Sequence, residues 1–254
     1  MAGLTDASPE CHAGRAPLLS ARNLSKSFGA LRVTQDLSFE VGRGEVFGVL
    51  GPNGAGKTTV FNLISGDIAA DVGAVVLDGQ DMTGIPAFKR AAKGIGRTYQ
   101  IPRPYAQMST FENLLVSATF AGQMRGQAAY DHCATTLEEC GLGDKANRPA
   151  GSLTLLDRKR LELARAMAGK PKLLLLDEIA GGLTDGEAKD LVTLIARLRD
   201  RGVTIIWIEH VLHAIMAVAD RMMVLSFGEK IAEGKPDAVM RDAKVRRVYM
   251  GIEA

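Results

Sequence analysis

Nine consecutive residues carry the first chemistry in this chain: Gly51, Pro52, Asn53, Gly54, Ala55, Gly56, Lys57, Thr58 and Thr59. They fit the pattern G-x-x-x-x-G-K-[ST] and stand between the apolar run 46–50 (VFGVL) and the apolar-periodic stretch 60–64 (VFNLI). Strand, glycine-rich turn and helix in that order are what a phosphate-binding loop requires. The glycines let successive backbone N–H groups converge on phosphate oxygens, and the helix N-terminus adds its partial positive charge. Lys57 brings a full charge, and Thr58 can offer a hydroxyl to Mg²⁺. Average residue usage would yield this pattern in roughly one chain in a hundred of this length. The expectation is a nucleoside triphosphate site.

A phosphate loop does not separate kinases, GTPases and ATP-driven machines. The second half of the chain does. Four leucines, 173–176, read as a buried strand that ends in Asp177-Glu178. Ligands of an open α/β sheet sit beyond the carboxyl ends of its strands. Asp177 is therefore placed to hold Mg²⁺ opposite Thr58, and Glu178 to polarise an attacking water. The next apolar run, 204–208 (TIIWI), ends at Glu209-His210 on the same sheet edge, where His210 can meet the γ-phosphate or the water.

These groups need a scaffold to hold them. The chain has 254 residues, 46% hydrophobic and 24% charged, enough for one sizeable α/β domain with a smaller subdomain. A net charge of +2 argues against a broad nucleic-acid surface. No apolar run is long enough to span a bilayer, so a membrane role requires a partner protein. Cys11, Cys133 and Cys140 form no C-x-x-C pair and read as reduced thiols; with His132 they lack the second ligand pair of a metal site. Residues 1–17 are polar, without a signal-peptide core, and read as a disordered tail.

Along residues 18–50, runs 18–28 and 31–41 predict antiparallel strands, and Gly42-Arg43-Gly44 turns into the buried strand 45–50. Residues 74–79 read as a further strand and turn. Pro102 and Pro104 break the chain, and residues from about 110 to 150 turn helical and amphipathic, with apolar clusters at Phe111, Leu114, Leu115 and Val116 and at Leu137 with Leu142. From Leu173 strands alternate with helices, which implies parallel pairing. Runs 222–225 and 230–232 flank Phe227-Gly228-Glu229 as a hairpin, and a terminal helix carries Val245, Val248 and Tyr249.

The order of phosphate loop, Gln100, an Arg-rich helix start, leucines ending in Asp177-Glu178, and Glu209-His210 resembles the nucleotide-binding subunit of ATP-binding-cassette (ABC) transporters, over residues 18–251. The phrases GRTYQ (96–100), RKRLELARAM (158–167), WIEH (207–210) and VRRVYMG (245–251) resemble one branch, the cassettes of branched-chain (hydrophobic) amino acid importers. Within it, the chain is similar to the subunit whose lid loop carries Gln. The resemblance implies an α/β P-loop ABC ATPase core with a parallel sheet, an antiparallel β subdomain and a helical insertion. It implies a single cassette over 18–254 with a helical subdomain at about 101–170. It further implies ATP and Mg²⁺ as cofactors, transmembrane permease subunits and a second cassette as partners, and a place on the cytoplasmic face of the inner membrane. Position by position, Phe28 matches the aromatic that stacks on adenine. Gln100 matches the residue that ligates Mg²⁺ or water and senses the membrane partner. Asp177 matches the metal-orienting acid, Glu178 the general base and His210 the switch histidine.

Two departures concern the subunit interface. The family's Leu-Ser-Gly-Gly-Gln signature, which faces the γ-phosphate of the opposing subunit, falls on Leu153, Thr154, Leu155, Leu156 and Asp157. Thr154 with Asp157 still fits a capping box, while the two leucines hinder the close backbone approach that glycine permits. Arg158-Lys159-Arg160 reads as a solvated helix face, with an electrostatic aid to that phosphate as the other reading. Ile179 replaces the usual Pro, and Thr184 stands where an Asp closes the contact loop Gly181-Gly182-Leu183. These changes predict an asymmetric dimer with a different cassette, a homodimer being the other possibility.

Three rival readings stay open. A lipopolysaccharide-export cassette shares the C-terminal ending, but not GRTYQ or the altered signature. A non-transport ABC ATPase of translation or DNA repair would carry tandem cassettes or long coiled coils. A P-loop kinase would hold an acceptor site in place of the Glu-His pair.

Overall fold

Three short runs, VFGVL, LLLLD and TIIWI, are apolar at nearly every position, which suits strands covered on both faces. In the computed structural model, which describes residues 16–250, all three are fully buried strands. Residues 1–15 of the expected tail, Cys11 and Gly251 lie outside the described residues.

Elements follow in chain order: strands β1 (Leu19–Phe28), β2 (Leu31–Val41) and β3 (Val46–Leu50), then helix α1 (Lys57–Ser65). Next come β4 (Val72–Leu77), β5 (Gln80–Asp81), α2 (Ala87–Ala92) and β6 (Ile95–Arg97). Helices α3 (Thr110–Phe120), α4 (Gly126–Glu139) and α5 (Leu155–Ala168) form the helical insertion. The core then resumes with β7 (Leu173–Asp177), α6 (Asp185–Asp200), β8 (Thr204–Ile208), α7 (Leu212–Val218), β9 (Arg221–Ser226) and β10 (Glu229–Gly234), and closes with α8 (Pro236–Arg241) and α9 (Ala243–Met250).

The main sheet runs β10-β9-β3-β8-β7-β6; its pairs are parallel except the β9-β10 hairpin. A second, antiparallel sheet runs β2-β1-β4-β5. Side-chain alternation along the buried strands divides the core in two. Phe47 and Val49 of β3 face α1 and the antiparallel sheet, whereas Val46 and Leu50 face α5, α6 and α7. The Phe39 and Phe47 rings stack at 5.6 Å and join the two sheets. Helix α1 thus leaves β3 to one face, and α6 and α7 leave β7 and β8 to the other. Between β3 and β8 the helices change face, and such a switch point opens the crevice where α/β sheets bind ligands.

The expected strands and terminal helix are present, with small shifts of boundary. Glu229, expected in the hairpin turn, pairs with Ser226 as the first residue of β10. Gln100 lies in a bend beyond Arg97; the last ladder bond is from the Thr98 N–H to the Leu175 carbonyl. Helix α2 and strand β6 are too short to announce themselves by periodicity. Cys133 and Cys140 pack into the core, where burial pushes their thiols up to about 11 and about 12.

Candidate functional site

The phosphate loop closes at the carboxyl end of β3. Gly51 and Gly56 have φ of 156° and 100°, and a Cβ on either would come within 2.5 Å of a backbone oxygen, of Leu225 and of Val33 respectively. A side chain is thus excluded by both backbone angle and space. Gly54 (φ 80°) faces open space instead. The Gly228 N–H donates to the Ala55 carbonyl and pins the loop to the β9-β10 hairpin. Gly56, the N-cap of α1, has no side chain with which to satisfy the first N–H groups, which leaves them for a ligand. Asn53 and Thr58 are exposed at this end, and Thr59 is half-buried.

Lys57 is only 6% exposed, and its Nζ donates to the carbonyls of Gly51 (2.7 Å) and Pro52 (3.1 Å). Burial pushes its pKa down, and the charges of Glu178 and Asp177 oppose that shift. Asp177, buried at the end of β7, has its pKa raised by burial, although Arg97 at 3.3 Å pulls the other way. Its backbone N–H donates to Thr98 Oγ1.

Glu178 follows with φ 46°, the left-handed region that a non-glycine residue enters at a cost of about 1–3 kcal/mol. Its N–H donates to the Ile208 carbonyl across the sheet edge. Its carboxylate accepts from Gln100 Nε2 at 2.6 Å and stands 3.7 Å from His210 Nδ1. The lid-loop glutamine, the candidate base and the candidate switch histidine, far apart in sequence, meet at one point. Half of the His210 side chain remains exposed. Phe28, at the end of β1, is 52% exposed, so it presents a ring to solvent rather than filling the core. Lys26 Nζ lies 5.6 Å from that ring's centroid.

Several residues of the site have roles that motif reading missed. Arg97 donates from Nη1 to Asn62, Ser65 and Asp67 and from Nη2 to Asp177, tying α1 to the strand that bears the acid. It lies inside GRTYQ, so it was visible without a role. Fully buried Glu209 accepts from the Ala180 N–H with Oε1 and from the His210 and Val211 N–H groups with Oε2, stapling the segment after Glu178 to the histidine turn. Lys159, expected on a solvated face, is buried; its Nζ donates to the carbonyls of Gln100 (3.0 Å) and Glu178 (3.3 Å).

The altered signature opens α5 as a capped helix, but not as a capping box. Thr154 Oγ1 accepts from the Asp157 N–H at 3.3 Å. The Asp157 carboxylate, one methylene shorter than Glu, accepts from the Thr154 hydroxyl and from Lys145 instead of the Thr154 N–H. Leu155 is 46% exposed and Leu156 half-buried. Thr184 has its own device: it caps α6 in a full capping box with Glu187.

This constellation on this fold defines an ATP-binding cassette with hydrolytic chemistry, and comparison with known proteins agrees. The sequence matches the ABC transporter family over residues 34–181 and the branched-chain amino acid ATP-binding cassette transporter description over 229–254. It is 39% identical over 250 residues to the high-affinity branched-chain amino acid transport ATP-binding protein LivG of Escherichia coli (strain K12), covering 92% of this chain and 98% of LivG. The lipopolysaccharide export system ATP-binding protein LptB of the same organism is 34% identical over 233 residues, covering 92% and 97%. The solved ADP conformation of MJ1267, an ATP-binding cassette of an ABC transporter, superposes with a TM-score of 0.85 at 30% identity, covering 94% of this chain and all of MJ1267. The chain belongs to the ABC transporter family, as an ATPase cassette.

Proposed function

We propose that this chain hydrolyses ATP to power a membrane importer for branched-chain or related amino acids. It would work with transmembrane permease subunits and a second, different cassette, on the cytoplasmic face of the inner membrane. The observation that carries the hydrolytic reading is the meeting of Gln100, Glu178 and His210 beside the Lys57 loop. The C-terminal match over 229–254 supports the solute class. Among the described residues no helix is long and apolar enough to cross a membrane, so coupling to transport falls to the permease.

Phe28 stacks on the adenine, while the N–H groups of Asn53, Gly54, Gly56, Thr58 and Thr59 cradle the phosphates and Ala55, whose N–H donates to the Pro52 carbonyl, shapes the loop. Lys57 exchanges the Gly51 and Pro52 carbonyls for phosphate oxygens. The Thr58 hydroxyl, the Asp177 carboxylate and the Gln100 amide oxygen form a hard oxygen-donor set that suits Mg²⁺. A cation held there would neutralise charge on the transferring phosphoryl group. Freed from the Gln100 amide, Glu178 accepts a proton from the attacking water, which is worth about 10²–10⁴-fold. His210 then donates toward the γ-phosphate.

The altered signature supports asymmetry. Thr154 and Asp157 preserve a helix start, but exposed Leu155 and neighbouring Leu156 stand where the opposing γ-phosphate would be met. This chain's phosphate loop then fires against the partner's intact signature. The test substitutes Glu178→Gln and its counterpart in the partner cassette separately and measures ATPase of the assembled complex. Loss concentrated in the Glu178→Gln complex is expected; equal losses would sink the asymmetry. Uptake of labelled leucine by proteoliposomes tests the solute class. A lipopolysaccharide-export cassette, the reading that the LptB similarity favours, would co-purify with permeases that take up no amino acid.

A further inference from the structure

Lys159 lies in the second turn of α5, on a helix that belongs to neither the phosphate loop nor the Asp177-Glu178 strand. A buried ammonium persists only where its donors are satisfied, because the desolvation of a full charge is otherwise uncompensated. At 3% exposure, its Nζ reaches two backbone carbonyls, that of Gln100 at 3.0 Å and that of Glu178 at 3.3 Å. Burial pushes its pKa down, against the charges of Glu209, Glu178, Asp177 and Glu162. The same two residues, Gln100 and Glu178, meet again at their side chains, 2.6 Å apart. One cation therefore closes a ring through the lid loop and the candidate base.

The Glu178 backbone is where such a contact has the most effect. At φ 46° its conformation is set by external contacts, not by its own preference. Its N–H is held by Ile208 and its carbonyl by Lys159 and the Gly181 N–H. Loss of the Lys159 contact removes the one side-chain bond among these and loosens the peptide that aims the carboxylate. In the next turns of the same helix, Glu162 and Arg165 anchor the lid loop through the Arg103 N–H and carbonyl. A shift of α5 therefore reaches Glu178 by a route that bypasses the Gln100 side chain.

We propose that Lys159 is a positioning residue for ATP hydrolysis: it clamps the carbonyls of Gln100 and Glu178, so that the placement of α5 sets the aim of the base. This rests on the reading of Glu178 as base. The test uses the full-length chain in its complex with membrane subunits, with Lys159→Met, Lys159→Arg, Glu178→Gln and the Lys159→Met/Glu178→Gln double variant. Lys159→Met is expected to lower kcat by about 10–100-fold, the scale of a misplaced group, with KM within about twofold of the native value. Lys159→Arg, which can donate to both carbonyls, is expected to restore most of that turnover. In the Glu178→Gln background, Lys159→Met is expected to add no further loss, since both act through one carboxylate. Lys159→Gln, which keeps a donor, replaces the Met variant if that one does not fold.

Native kcat in Lys159→Met, or additive losses in the double variant, would overturn the clamp alone. A raised KM with unchanged kcat would do the same, because it would assign Lys159 to nucleotide binding or general integrity. Native turnover in Glu178→Gln would overturn the base assignment and the clamp with it.

Discussion

Lys57 and Asp177 occupy environments that are unfavourable before a nucleotide arrives. Each is nearly buried, and burial acts on each against its charged form. Replacing Asp177 by Asn should therefore stabilise the nucleotide-free protein by about 0.5–2 kcal/mol while abolishing turnover, as at other sites where function is held against stability. The sign of the pH effect follows from the raised pKa. Between the unfolded carboxylate value and the higher folded one, the folded state holds the extra proton, so native stability falls as pH rises through that window. The Tm gap between Asp177→Asn and the native protein should widen at neutral pH and close as pH falls toward about 4. A gap independent of pH in a thermal melt would contradict this. Lys57→Ala should lose nucleotide affinity and turnover together, because the phosphate charge loses its nearest cation. Unimpaired ATP hydrolysis by that variant would refute the assignment.

Among the elements, helix starts do most to set the site. Helix α1 begins on Gly56, whose φ of 100° and contact with the Val33 carbonyl admit no side chain. Gly56→Ala should therefore distort the loop and abolish ATP binding in a fluorescence titration, even if the chain folds. Helix α6 starts on Thr184, which shares three hydrogen bonds with Glu187 immediately after the loop that leaves Glu178. Thr184→Ala should cost about 1 kcal/mol in urea unfolding, the usual worth of an N-cap. This local role gives a physical reason for threonine at a position that the family pattern assigns to an aspartate.

For the molecule as a whole, the consequence is a groove of about 520 Å³ between the core and the helical insertion. Its walls come from α2 and β6 on one side and α3 and α5 on the other, and they include Phe88, Arg97, Tyr99, Glu162 and Arg165. Phe88 and Tyr99 expose 71% and 46% of their surface there, an apolar rim around charged walls. Under the proposed coupling to permease subunits, that composition would suit a helix presented by one of them, which brings both apolar and polar groups. Phe88→Glu should sharply reduce co-purification with membrane subunits from detergent extracts while leaving ATP affinity native. Unchanged co-purification would exclude the groove as the docking site. ATP at a hundredfold above its Kd should stabilise the native chain by about 2.7 kcal/mol. Lys57→Ala should not show that gain in a thermal melt.

Much of this was legible in the residues alone because it is written in short-range pattern. The phosphate loop, the all-apolar strands and the acids that end β7 depend on neighbours in sequence, and the longer strands of both sheets follow from period and turn chemistry. The short α2 and β6 carry no such period. Nor could order in the chain reveal that Lys159 is buried: an Arg-Lys-Arg run has the composition of a solvated face, and only the packing of α5 beneath two loops supplies carbonyls to meet its charge. The same holds for Glu209, which reaches from its own turn to the Ala180 N–H beyond the end of another strand. Sequence by itself determined that the chain binds and splits a triphosphate, since phosphate recognition needs a contiguous run of backbone donors. Tertiary structure alone decided which buried charges stand against Glu178, because burial and pairing are properties of segments distant in the chain.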